Sequence, residues 1–339
     1  MTPSGGRRAG VRGPGGRRRG NRWLCAGVLA LVLAGCRAES PAPIRIAVHP
    51  WPPFDLLYLA QEQGLFAEAG VPVHLVELSS LADARRAYER GQTDGLACTV
   101  VELLGARSVA GRDPQAILVV DTSDGADVVL ARPGLGDVAA LRGRRVAAEP
   151  ASSGVYLLAR ALVAHGLTLA DVAPVFIDQT HIAEAFAAGE VDAAVTYPPF
   201  AAGLERLGAV PVFSSRALPG EIVDVVALDA ALVAERPHHA RAIARAFEAA
   251  RRFAEAHPDE AHATMAAREG IEPREFRAVL GRGIRLVPAH EQARYLAPGG
   301  LLELTLPRVD AVMRRIGHLG GPSRVPGAVA RLDPGSGPP

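Results

Sequence analysis

The stretch from Arg145 to Phe200 constrains the fold more than any other part of this chain. An apolar run over residues 145–148 ends in a polar loop at 149–153. Val155, Leu158, Ala159 and Leu162 then recur at i, i+3, i+4 and i+7, the spacing of one helical face. His165-Gly166 closes that helix, glycine being the residue that fits a left-handed turn. A second strand over 172–177, a helix over 181–188 and a third strand over 191–197 complete a βαβαβ unit. Helices between strands imply parallel pairing, and ligands sit at the carboxyl ends of such strands. The loops 149–153 and 197–200 are there, so a site is sought in them first.

The preceding residues read in the same grammar. A strand over 44–48 leads into His49-Pro50-Trp51-Pro52-Pro53-Phe54-Asp55. Asp55 is placed to cap a helix over 56–63, with Gly64 as its stop. Strands are expected at 71–78, 95–99 and 115–120, with a helix over 81–90. Residues 88–99 echo residues 186–197: each is a helix end, a glycine, two linkers, an aspartate and a small-residue strand. The echo favours two similarly built α/β lobes and makes Thr99 and Tyr197 equivalent strand ends. Residues 221–228 read as a strand crossing back to the first lobe. Pro237 opens a long helix at its first turn, and helices over 258–268, 273–280 and 301–316 follow. The Gly/Pro-rich end, 319–339, is expected to be a disordered tail.

The first 35 residues read as a signal peptide. Seven arginines between Arg7 and Arg22 precede an apolar run over 23–34, which is too short for a stable span. The run ends in Leu33-Ala34-Gly35-Cys36, which resembles a bacterial lipobox. That motif implies an acylated Cys36, a tether over 36–43, and a periplasmic chain anchored to a membrane by lipid. Cys98 is then the one thiol left in the mature chain, so no intrachain disulfide or thiolate metal site can form.

Net charge is +1 and the chain has no lysine, so no nucleic-acid partner is implied. Any cationic anchor for a ligand must be arginine or histidine, and the strand-end loops contain no arginine. Those loops suit a zwitterion, a cation or a neutral polar molecule. Ser152-Ser153 offers hydroxyls and free N–H groups at a helix start; a plain N-cap would look the same. Asp124, Asp127 and Glu149 place negative charge at strand ends, where a ligand ammonium or amidine could pair with them, although turn chemistry accounts for such residues equally. Trp51, Phe54, Tyr197 and Phe200 sit beside prolines in a chain with 5% aromatic residues, as pocket walls or as core plugs. No pattern of metal ligation, phosphate cradling or nucleophilic catalysis is found, so neither a cofactor nor a catalytic residue is expected.

Taken together, Trp51-Pro52, the segment 57–66, Gly125-Ala126-Asp127, the segment 141–147 and the segment 189–195 resemble the periplasmic substrate-binding proteins of the nitrate/sulfonate/taurine ABC importer group. Those proteins share a fold with fungal thiamine-pyrimidine synthases, and the resemblance runs over 44–316. It implies a two-lobed type II periplasmic-binding-protein fold of α/β class, with two hinge crossings and a ligand cleft between the lobes. Lobe one maps to 44–130 plus 226–318 and lobe two to 131–225. The cleft would take Trp51, Phe54, Ser80, Thr99, Asp124, Asp127, Glu149, Ser152, Ser153, Tyr197 and Asp224. The implied function is capture of a small polar molecule (zwitterion, amine, sulfonate or pyrimidine-like) by a monomer that delivers it to an ABC permease and its ATPase. An enzyme on the same scaffold, pyrimidine-synthase-like or a dehydratase, and a sensor lipoprotein for a membrane kinase are the alternatives.

Overall fold

The computed structural model describes residues 42–109 and 111–332; the signal segment, the lipobox with Cys36 and residues 333–339 lie outside them. The chain opens with β1 (Ile44–Val48), a 3-10 turn at Pro52–Phe54, α1 (Asp55–Glu62), α2 (Leu65–Glu68), β2 (Val73–Glu77), α3 (Leu81–Glu89), β3 (Gly95–Thr99), α4 (Val100–Arg107) and β4 (Pro114–Ser123). It continues with β5 (Val128–Ala131), β6 (Arg145–Ala148), α5 (Ser153–Ala164), β7 (Ala173–Phe176), α6 (Gln179–Ala187), β8 (Ala193–Thr196), α7 (Ala201–Arg206) and β9 (Val210–Ser214). It returns through β10 (Val223–Asp229), α8 (Ala230–Glu235), α9 (Pro237–Ala256), α10 (Pro258–Glu269), α11 (Pro273–Leu280), β11 (Ile284–Leu286), α12 (Gln292–Leu296) and α13 (Leu301–Arg315).

These strands make two sheets, in the orders β11-β4-β10-β3-β1-β2 and β7-β6-β8-β5-β9. Each sheet holds a parallel triplet, β2-β1-β3 in one lobe and β7-β6-β8 in the other, flanked by an antiparallel strand. The repeat extends to side chains. Arg45 donates from its backbone N, Nε and Nη2 to Asp94 at 2.9, 3.1 and 2.8 Å. Arg145 does the same to Asp192 at 2.9, 3.2 and 2.8 Å. Exposed pairs of this kind add under about 1 kcal/mol each, but two identical clasps fix the same β–αβ register in both lobes.

Three expectations are corrected here. Asp55 does not cap its helix: the chain enters α1 through the Pro52–Phe54 turn, with no side-chain cap bond. Asp55 is instead buried beside Arg268, 3.5 Å from its Nε. The helix α4 lies where no element was assigned, because Val100-Val101 extends the apolar run of β3; Thr99 ends that run by accepting from the Val101 N–H as N-cap. The tail over 319–332 is packed rather than disordered. β11 pairs only with residues 121–123 of β4, which leaves the start of β4 open on that side. Ala328 and Ala330 fill the gap with bonds of 2.8 and 2.9 Å to Ala116. The buried Arg107 guanidinium clasps the same segment through the carbonyls of Arg324 and Pro326.

The lobes join at residues 124–127 and 215–222, slightly before the expected 130 and 225, because β5 pairs into the second sheet and β10 into the first. Serines zip the two crossings together. Ser123 Oγ lies 2.7 Å from Ser215 Oγ, Gly125 N–H donates to Ser215 Oγ at 2.7 Å, and Asp127 N–H donates to Ser123 Oγ at 3.1 Å. Gly283 (φ +79°) lies against this crossing, where a Cβ would stand 2.6 Å from the Asp124 carbonyl oxygen. Beside the crossings, one apolar core runs from Leu103 and Leu104 of lobe one into Val155 and Tyr156 of lobe two.

Candidate functional site

The carboxyl ends of both parallel triplets face each other across the lobe boundary. Lobe one contributes His49 and Trp51 after β1, Leu81 at the start of α3, Thr99 at the end of β3 and Asp224 in β10; Asp127 comes from the crossing. Lobe two contributes Ser153 at the start of α5 and Tyr197 after β8. They enclose a cavity of about 10 Å³, room for about one water molecule, so this is a closed arrangement. Tyr197 sits among the rings of lobe one, edge-on to Trp51 at 6.0 Å and to His49 at 6.3 Å, with Phe200 behind it at 5.5 Å.

Carboxyls surround this cavity. Asp121 and Asp224 oppose each other across the β4–β10 ladder, both buried, and Trp51 Nε1 donates to Asp121 at 3.0 Å. Burial pushes Asp121 up to about 7 and Asp127 up to about 6. It also pushes Asp224 well above the carboxylate range, with the charge of Asp121 adding to the effect. The Asp121–Asp224 pair therefore holds a proton at neutral pH. Burial pulls His49 down to about 3, leaving it neutral. Its ring is held by the Ala97 backbone, and its Nδ1 has no partner in the protein. The Tyr197 hydroxyl also has none.

The helix starts that face the cavity are already filled, each by a carboxylate from the opposite lobe. Glu102, on α4 of lobe one, accepts the Ser153 N–H of α5 at 2.7 Å and the Thr99 hydroxyl. Glu149, after β6 of lobe two, accepts the Ala82 N–H of α3 at 3.0 Å. Charge-assisted bonds of this type contribute roughly 1.5–3 kcal/mol each. Ser80 donates to Asp178 across the same boundary at 3.0 Å, and Arg85 Nη1 donates to the Ala151 carbonyl at 3.2 Å. Ala151 holds a left-handed φ of +54° in that loop, a conformation that costs a non-glycine residue about 1–2 kcal/mol.

Of the expected site residues, Trp51, Thr99, Asp127, Ser153, Tyr197 and Asp224 come together on the cavity wall. Ser80 and Ser152 cap α3 and α5, and Glu149 seals α3; all three are buried at the lobe boundary. Phe54 lies behind His49, with ring centres 5.2 Å apart, and backs the site without lining it. Asp124 is misplaced by the sequence reading. The turn at Gly125 (φ +116°) leaves its side chain 63% exposed and near Arg216. The sequence reading missed His49, Asp121 and Glu102. The strand expected at 115–120 stops short of Asp121, but β4 continues through it to Ser123.

With this geometry in hand, the model of the NMT1-like family matches residues 37–269, more than half of the chain. The chain belongs to the NMT1-like family. No curated protein sequence matches it. Solved structures with the same fold as this NMT1-like protein include the alkanesulfonate-binding protein SsuA from Xanthomonas axonopodis pv. citri bound to MOPS. That structure has a TM-score of 0.73 at 21% identity, over 87% of this chain and 100% of that one. The periplasmic aliphatic sulphonate binding protein SsuA from Escherichia coli matches with a TM-score of 0.70 at 19% identity, over 86% and 98%. The desulfurization enzyme DSZB matches with a TM-score of 0.59 at 20% identity, over 85% and 96%. At these identities the likeness establishes the two-lobed fold, as the sequence resemblance implied.

Proposed function

We propose that this NMT1-like protein is the solute-binding component of an ABC importer, held at a membrane in the periplasm by acylation of Cys36. It captures a small polar molecule between its lobes and presents the closed form to a permease. The observation that carries this reading is the cavity to which both lobes contribute, with Trp51 and Asp224 on one side and Ser153 and Tyr197 on the other. A solute that touches both walls binds the closed form better than the open one, so binding shifts the population towards closure. The importer role follows the alkanesulfonate-binding proteins that share the fold.

The likeness to DSZB offers an enzyme as the competing reading. Cys98, the thiol of the described chain, is fully buried in β3, and burial pushes it well above its ordinary range. A thiol so placed is a poor nucleophile, which favours binding over catalysis.

A thermal-shift screen with taurine, alkanesulfonates, pyrimidines, amines and amidines tests the reading, because a solute that binds the native state raises the melting point by mass action. Because Trp51 and Tyr197 are both buried, alanine at either position would cost about 3–5 kcal/mol of stability and blur the result. Tyr197→Phe removes only a hydroxyl that has no partner in the protein. The variant is expected to melt like the parent and bind the best solute about tenfold more weakly; unchanged affinity would take that hydroxyl out of the site. Cys36→Ser should release the protein from membranes, and continued pelleting with them would refute the lipid anchor.

A further inference from the structure

Four N–H donors beside the cleft are spent inside the protein. Trp51 Nε1–H goes to Asp121, Ser153 N–H to Glu102, Ala82 N–H to Glu149, and Gly154 N–H to Ser152 Oγ. No arginine lines the cavity among the described residues. What remains on the wall is mainly acceptor: the Asp127 and Asp224 carboxyls and the unpartnered His49 Nδ1, beside the unpartnered Tyr197 hydroxyl, which can donate or accept; His49 and Tyr197 are more than nine-tenths buried. Anion sites at helix starts depend on free N–H groups and a positive dipole end. Here both starts hold a carboxylate from the opposite lobe, so a sulfonate entering the cleft would meet like charge and no free N–H at either capped position, with the Tyr197 hydroxyl as the unpartnered donor.

Resting on the solute-binding reading above, we propose that the cleft takes a small organic cation bearing a protonated amine, amidine or guanidine, and that Glu102 and Glu149 exclude sulfonates by occupying the helix starts. Asp127 and the singly protonated Asp121–Asp224 pair supply the countercharge. Trp51, His49 and Tyr197 form an aromatic wall of the kind that attracts organic cations. A metal ion fits less well, because among the described residues no group of three or more His, Cys, Asp or Glu is arranged to hold one. Buried carboxyls without a cationic partner are costly, and a ligand that brings positive charge and N–H donors satisfies them together.

The test is calorimetry at pH 7.5 on the mature chain with three probe sets. Benzamidine, agmatine, putrescine and choline are the cations; taurine, ethanesulfonate and MOPS carry the sulfonate; uracil is neutral. The best cation is expected to bind at least about tenfold tighter than any sulfonate. Asp127→Asn is expected to weaken that cation by about tenfold or more, and Asp224→Asn serves as a second variant should the first fail to fold. A sulfonate or the neutral probe binding more tightly than every cation overturns the cation assignment and leaves solute binding standing. Cation affinity unchanged in both variants also overturns it. Silence across all three sets overturns the solute-binding reading together with this one.

Discussion

At the residue scale the cleft is a set of carboxyls held against their own preference. Asp121, Asp127, Asp224 and Glu102 are all raised by burial, so the folded chain binds more protons than the unfolded one between about pH 4 and pH 7. Stability from this cluster is therefore present at low pH and lost as pH rises through that window. The groups facing them are neutral or of the same sign: His49 from the β1 loop, Tyr197 from the β8 loop and Glu149 from lobe two, with Arg85 on α3 the cation that acts on Glu102. Asp224→Asn keeps a hydrogen-bond donor towards Asp121 and removes the cost of keeping a buried carboxyl protonated there. It should melt higher than the parent at pH 8, with the difference shrinking at pH 5. Calorimetric scans at the two pH values check this, and an equal or lower melting point at pH 8 would contradict it. Trp51, Tyr197 and the serines were legible in the sequence because they follow strands. His49 and Asp121 were not, since a lone histidine before prolines and an aspartate ending an apolar run read as loop chemistry until their burial is seen. Asp124 was overcalled for the complementary reason: its neighbour Gly125 turns it outward.

At the element scale the helix starts carry the account. α3 and α5 begin with serine caps, and each is completed by a carboxylate from the other lobe, Glu149 and Glu102. These contacts exist only when the lobes are together, so they favour closure and bias specificity at once. Glu149→Ala should lower the stability of the closed form by roughly 1.5–3 kcal/mol, measured by urea unfolding. Unchanged stability would mean that Glu149 is no latch. The serine caps could be anticipated from the sequence; their partners could not, because Glu102 sits on α4, a helix hidden behind Val100-Val101, and Glu149 acts on an element 67 residues away. The packed segment 319–332 was hidden by its Gly/Pro content, because its order comes from an opening in β4 and from Arg107, both far from it in sequence.

At the scale of the whole molecule the two lobes repeat one plan, a parallel triplet with an antiparallel neighbour and an Arg–Asp clasp at the same register. That plan was visible in the echo between residues 88–99 and 186–197. The lobe boundaries were less so, because the crossing strands β5 and β10 are as apolar as the strands they join. Two serine-zipped crossings with Gly283 packed against one of them suit rotation of lobe against lobe with little change inside either. The most direct measurement is the radius of gyration of the mature chain by small-angle X-ray scattering, alone and saturated with the tightest solute from the calorimetric panel. The account predicts a smaller radius with solute bound, as the lobes close over it. An unchanged radius together with confirmed binding would contradict it.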